Sequence, residues 1–204
     1  MISKVTAVVF DVGRVIVQWD LRCLFAKLID DPAQLDWFLA NVVTEQWHFQ
    51  HDAGRPLAEM LPERKAQFPE YADLIDAYAS RFLETIPGPV PGTADLIRAL
   101  DEAGVALFAI TNFGAGFWEM FRPTCDQLAP MQDIVVSGRE CLAKPDPAVF
   151  RLAADRFGRS PHEMLFIDDN AANIDSARAE GWQVHHFHHA AALAADLRKR
   201  GLIT

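Results

Sequence analysis

The chain has 204 residues, half of them hydrophobic, enough for one sizeable core or a core domain with a small companion. Its formal net charge of -9 argues against a nucleic-acid partner, and the single basic cluster, Arg198-Lys199-Arg200, suits a helix C-terminus. Cys23, Cys125 and Cys141 make no CxxC spacing and read as reduced thiols of a cytoplasmic protein, while Asp11 interrupts the first apolar run and no run approaches the ~20 residues of a membrane helix.

The first apolar run, 5–10, reads as a buried strand that ends in a lone carboxylate, Asp11, with Gly13 two residues on. Residues 18–85 contain no strand-like run. They predict helices over 21–29, 34–42, 57–68 and 72–83, too much chain for a simple crossover. This stretch is expected to be an inserted helical domain, returning at the punctuation Pro87-Gly88-Pro89-Val90-Pro91-Gly92. From there a β–α rhythm sets in. A helix over 93–103 stops at Gly104 and precedes a strand over 105–110. The glycines of Asn112-Phe113-Gly114-Ala115-Gly116 suit a loop, with Phe117 and Trp118 expected to line an entry. A strand over 133–137 follows, then a helix over 147–157 with proline at its start and Gly158 at its end. Ser160 to Glu163 has capping-box spacing before a strand over 164–167. A helix over 170–180, a strand over 183–187 and a helix over 190–200 complete the chain. Four of the five runs lack polar alternation, as strands buried on both faces do. The expected fold is α/β, a doubly wound parallel sheet built from 1–17 and 86–204, with 18–85 inserted as a helical cap.

Ligands of open α/β sheets bind at the carboxyl ends of the strands. Asp11 follows the first strand and Thr111-Asn112 the second. Lys144-Pro145 comes a short loop after the third, and Asp168-Asp169 follow the fourth. Each alone has an ordinary reading as a cap, a turn or a solvated charge. Together they bring three carboxylates, one ammonium and one hydroxyl to one sheet edge. Adjacent carboxylates at a buried strand end need a counter-charge, and a hard cation such as Mg²⁺ takes oxygen ligands.

Four blocks, FDVG (10–13), ITN (110–112), KPDPAVF (144–150) and FIDDNAANIDSA (166–177), together resemble the haloacid dehalogenase superfamily of hydrolases over nearly the whole chain. The resemblance implies a Rossmann-like core with a helical cap. It also implies Asp11 as nucleophile, forming a covalent aspartyl-phosphate. Thr111 and the Asn112 N–H would meet the transferring phosphoryl group, and Lys144 would bridge nucleophile and phosphate. Asp169 would ligate Mg²⁺ together with Asp11 and the Gly13 carbonyl, supported by Asp168. Asn173 would orient Asp169 or the metal's waters. FDVGRVIVQWD (10–20) and the cap stretch WHFQHDAG (47–54) are similar to the branch containing glucose 1-phosphate phosphatases. The expected substrate is therefore a small phosphorylated metabolite, with a sugar phosphate as the finer reading and a monomer or homodimer as the expected assembly.

Many phosphatases of the superfamily carry at the position of Gly13 an acid that protonates the leaving alcohol. Gly13 keeps the carbonyl and lacks the acid. Three readings follow: a leaving group that needs little help, a cap residue (His48, His51 or Asp52) as acid, or a 2-haloacid dehalogenase, whose halide needs no proton. Dehalogenases of the superfamily lack the acidic pair, so hydrolysis of a phosphate ester is the first reading. A non-catalytic protein that binds a phosphorylated ligand is a further alternative. Arg14 stands where it could reach a substrate anion, and Trp19, Arg22, Trp47, His48, His51 and Arg55 are the cap residues placed to select one. The run His185-His186-Phe187-His188-His189 is not expected to hold a metal, since neighbours on a strand face opposite ways. Cys141 stands near the expected rim, without an identified base to activate it.

Overall fold

The computed structural model describes residues 4–204. A five-stranded parallel sheet has the order β3-β2-β1-β4-β5. Its strands are β1 (Ala7–Phe10), β2 (Ala106–Thr111), β3 (Asp133–Val136), β4 (Met164–Asp168) and β5 (Gln183–His186). The pairing sets Phe10 beside Ala109 on one side and Ile167 on the other. Successive residues of each apolar run serve opposite faces. Val8, Phe10, Leu107, Ala109, Leu165 and Ile167 join one core cluster, while Ala7, Val9, Phe108, Ile110 and Phe166 join the other.

Between β1 and β2 lie α1 (Arg22–Phe25), α2 (Pro32–Asn41), α3 (Glu45–Asp52), α4 (Leu57–Gln67) and α5 (Ala72–Ser80). Then come α6 (Thr93–Glu102), α7 (Ala115–Phe121), α8 (Ser137–Glu140), α9 (Pro147–Phe157), α10 (Ala171–Ala179) and α11 (Ala190–Lys199). The helical insert packs onto the sheet itself. Leu24, Phe25, Phe38, Met60, Ile75, Tyr78 and Phe82 belong to the same cluster as Phe10 and Ile167.

Three expectations need correction. The helix over 21–29 is a single α turn, Arg22–Phe25, continued by turns. Residues 45–52 form α3, which the sequence reading omitted because its apolar residues lack a helical stripe. It is started by Thr44, whose Oγ1 accepts from the Trp47 N–H at 2.9 Å. Residues 115–121 form α7 where a loop was expected. Phe117, Trp118 and Phe121 are buried in it, so Phe117 and Trp118 do not line an entry. Phe117 instead stacks on Phe82 with centroids 3.8 Å apart and planes 4° off parallel.

Candidate active site

The sheet order reverses beside β1, and the crevice above the ends of β1 and β4 holds a cavity of about 180 Å³. Asp11, Gly13, Arg14, Asn112, Lys144, Asp169, Asn170 and Asn173 line its core side; Trp19, Glu45, His48, Phe49, Asp52 and Phe82 line its other side.

Asp11 leaves β1 with its N–H donating to the Ile167 carbonyl, at 2.8 Å. One carboxylate oxygen, Oδ1, accepts from the Val12 N–H at 2.7 Å and from Lys144 Nζ at 2.8 Å. The other, Oδ2, accepts no hydrogen bond among the described residues. Lys144 is fully buried and donates also to Asp168 Oδ2 at 2.7 Å. Its backbone is clasped by Asn112, whose Nδ2 donates to the Lys144 carbonyl at 2.8 Å while Oδ1 accepts the Lys144 N–H at 2.9 Å. Asp168 is completely enclosed. Besides Lys144 it accepts from the Asn170 N–H at 2.8 Å and from Asn173 Nδ2 at 3.0 Å to each oxygen. Asn173 therefore grips Asp168, while among the described residues no hydrogen bond joins it to Asp169. Asp169 stays half-buried and open to the cavity, its carbonyl accepting from His186 Nε2 at 2.9 Å.

One carboxylate oxygen from each of Asp11, Asp168 and Asp169 lies within 4.8 Å of the others. Three acids thus face one buried ammonium. Burial, opposed by Lys144 and reinforced by Asp168 and Asp169, pushes Asp11 up to about 8. Burial and Asp168 also raise Asp169, with Arg14 opposing. Burial works against the Lys144 ammonium, but the two carboxylates outweigh it and hold its pKa above the ordinary lysine value. An all-oxygen donor set with excess negative charge fits a hard divalent cation.

The structure gathers most of the sequence candidates and separates others. Thr111 ends β2 buried and does not line the cavity, whereas Asn112 does. Asp168 lies behind the lining. Arg14, at a left-handed φ of 60°, reaches the mouth, pairs with Glu45 and sits 4.9 Å from the Trp19 ring centroid. His48 lines the cavity, but its ring nitrogens are engaged by Asp52 and Tyr78. Arg22 pairs with Asp36, Arg55 with Glu63, and Trp47 packs on Tyr78, all outside the cavity. His51 is buried away from it, and Cys141, exposed and lying against Gly54, is outside it as well. The histidines near β5 have separate partners: His185 faces Asp196, His186 the Asp169 carbonyl, and His189 caps α11. Sequence reasoning missed Glu45, Phe49 and Phe82. Phe49, at 40% exposure, is a large apolar residue left open beside the cavity. Its only signal in the sequence was its place in WHFQHDAG.

Comparison with known proteins agrees with this geometry. The family model of haloacid dehalogenase-like hydrolases matches residues 6–181. The chain belongs to that family. A phosphoglycolate phosphatase of Salmonella choleraesuis is 30% identical over 127 residues, 62% of this chain and 50% of that protein. An N-acetylmuramic acid 6-phosphate phosphatase of Pseudomonas aeruginosa is 28% identical over 116 residues, 55% of this chain and 51% of that protein. The chain thus spans about half the length of these curated relatives. Among solved structures, a predicted family hydrolase from Porphyromonas gingivalis superposes with a TM-score of 0.72 at 17% identity, covering 96% of this chain and 99% of the other. A family enzyme from Bacteroides thetaiotaomicron in complex with magnesium and inorganic phosphate gives 0.66 at 18% identity, covering 91% and 95%. These likenesses establish the fold.

Proposed function

We propose that the protein is a Mg²⁺-dependent phosphatase of a small phosphorylated metabolite, working in the cytoplasm through a covalent intermediate on Asp11. The observation that carries this reading is the contrast between the two oxygens of Asp11. One is fixed by Lys144 and the Val12 N–H, and the other is left free at the cavity. A carboxylate held in this way attacks along one direction without reorganising its support. Lys144 offsets charge on the nucleophile and on the phosphoryl oxygens it approaches. Asp11, Asp169 and the Gly13 carbonyl would hold the ion, with Asp168 behind them, and a bound Mg²⁺ supplies Lewis-acid neutralisation of the phosphoryl charge. Residues 18–85 act as the cap over the core of 1–17 and 86–204, excluding water while the intermediate forms. Arg14 and Asn112 stand where a substrate anion would bind. Curated relatives named as phosphatases of phosphoglycolate and N-acetylmuramic acid 6-phosphate support the class of reaction. The sugar-phosphate reading rests on the resemblance of FDVGRVIVQWD and WHFQHDAG.

Release of phosphate from p-nitrophenyl phosphate tests the proposal. EDTA and Asp11→Asn should each abolish turnover. Full activity surviving either treatment removes the mechanism.

A further inference from the structure

Cleaving an alkyl phosphate needs a proton for the departing oxygen, and the core side of the cavity holds no good donor. Gly13 has no side chain, and Asn112, Asn170 and Asn173 are amides. Asp11 and Asp169 serve the nucleophile and the ion. Lys144 lies between two carboxylates that strengthen its hold on its proton. The remaining titratable residues of the lining are Arg14, Glu45, His48 and Asp52. Glu45 is exposed and paired with Arg14.

His48 and Asp52 differ from these. One helical turn apart on α3, both are buried, with His48 Nε2 3.1 Å from Asp52 Oδ2. The His48 ring is stacked on Trp19, centroids 4.9 Å apart, and on Phe82, at 5.6 Å. Its Nδ1 lies 2.6 Å from Tyr78 Oη. Asp52 Oδ1 accepts from the Gly114 N–H at 2.8 Å, and the Asp52 carbonyl from Ser137 Oγ at 2.5 Å. Ring and carboxylate are thus fixed from the insert and from the core at once. His51, the other histidine of the turn, is outside the cavity and bonds the Arg55 carbonyl through Nδ1.

From this arrangement we infer that the His48–Asp52 pair supplies the leaving-group proton that Gly13 cannot, making an alkyl phosphate ester the substrate class. The inference rests on the phosphatase reading above. In the donor state His48 carries a proton on each nitrogen, Nδ1–H donating to Tyr78 Oη and Nε2–H shared with Asp52. As Asp11 Oδ2 bonds to phosphorus and the ester P–O bond breaks, its electron pair stays on the leaving oxygen, which displaces Asp52 as acceptor of the Nε2–H and takes that proton. A water oxygen then attacks phosphorus, the bond to Asp11 breaks, and the water's proton returns to Nε2. Tyr78 stays a phenol throughout, its pKa raised well above the ordinary value by burial and by Asp52.

The test compares glycerol phosphate with p-nitrophenyl phosphate, whose leaving group needs no proton. His48→Gln and Asp52→Asn should each lower kcat on glycerol phosphate by ~10²–10⁴-fold. On the aryl ester the loss should stay within about tenfold, the share left to positioning. An ideal Cβ at Gly13 meets nothing within 4 Å, so Gly13→Asp can place an acid on the core side. In the His48→Gln background Gly13→Asp should restore glycerol phosphate turnover. Equal losses on both esters overturn the inference, as does a selective loss in Glu45→Gln instead. A wild type confined to aryl esters overturns it too, and it needs no variant to fold. Aryl turnover that survives Asp11→Asn points elsewhere, to failure of the phosphatase reading itself.

Discussion

Lys144 illustrates how one buried charge can tie two strand ends together. A fully buried ammonium is costly alone, and here it is paired twice, to Asp11 and to Asp168. Replacing it leaves two buried carboxylates without their cation. Lys144→Met should lower unfolding stability by ~3–5 kcal/mol in metal-free buffer, read by urea denaturation. Added Mg²⁺ should recover part of that loss by supplying positive charge to the same carboxylates. A variant equally stable with and without Mg²⁺ contradicts the proposed cation site. At this scale the sequence was informative wherever a residue stands at a strand end, since the strand fixes where the next side chain goes. Asp11, Lys144 and Asp169 were expected at one sheet edge for that reason, and all three line the cavity. Thr111 is buried at the end of β2 and Asn173 grips Asp168, contacts that spacing along a chain does not reveal. Asn112 was assigned a backbone role, yet its amide is what clasps Lys144.

Between elements, the joint of α3 with the loop before α7 carries the most detail. A Cβ on Gly114 would lie 2.1 Å from His51 Cδ2 and 2.2 Å from its Nε2, so the backbone there passes directly against the imidazole. Gly114→Ala should destabilise the protein by about 1–3 kcal/mol, and His51→Ala in the same chain should relieve most of that, a non-additivity read by a double-mutant cycle. Burial lowers the pKa of His51, with His48 acting in the same direction and the Arg55 carbonyl and Asp52 opposing. A histidine whose folded pKa is depressed binds its proton more readily when unfolded. Its neutral form therefore favours the fold above the unfolded value of about 6.5, and stability declines as pH drops below it. Between about pH 7.5 and 5.5 the melting temperature should fall less steeply in His51→Gln than in the wild type. Parallel slopes contradict this. This joint was illegible in the sequence. The buried face of α3 is Trp47, His48, His51 and Asp52, mostly polar, and α7 has only seven residues, so neither shows a sustained apolar stripe in the sequence.

For the molecule as a whole, the notable fact is that insert and sheet share an apolar cluster. Phe10 and Ile167 of the sheet, Tyr78 of α5, Phe82 just beyond it and Phe117 of α7 all belong to it. A cap that met the core only through polar contacts would melt separately. Here calorimetry should give one cooperative transition, with van't Hoff and calorimetric enthalpies in agreement. Mg²⁺ at a hundredfold excess over its Kd should add ~2.7 kcal/mol to the stability, and two separated transitions contradict the shared core. The parallel sheet and the presence of an inserted helical region were readable from five apolar runs and one long strandless interval. How closely the insert is packed was not, since burial by a distant segment does not alter local composition. No helix among the described residues is long and apolar enough to cross a membrane.

The rim of the sheet has a bearing on the centre. Strand β5 contributes no group to the cavity, yet His186 Nε2 donates to the carbonyl of Asp169, and the Phe187 N–H donates to that of Asp168. The peptide units flanking both acids are thus tethered to the outermost ribbon. Damage at this margin, by truncation or by an edge-on association with another strand, would loosen the floor beneath the three carboxylates, although every acid and the lysine were still in place.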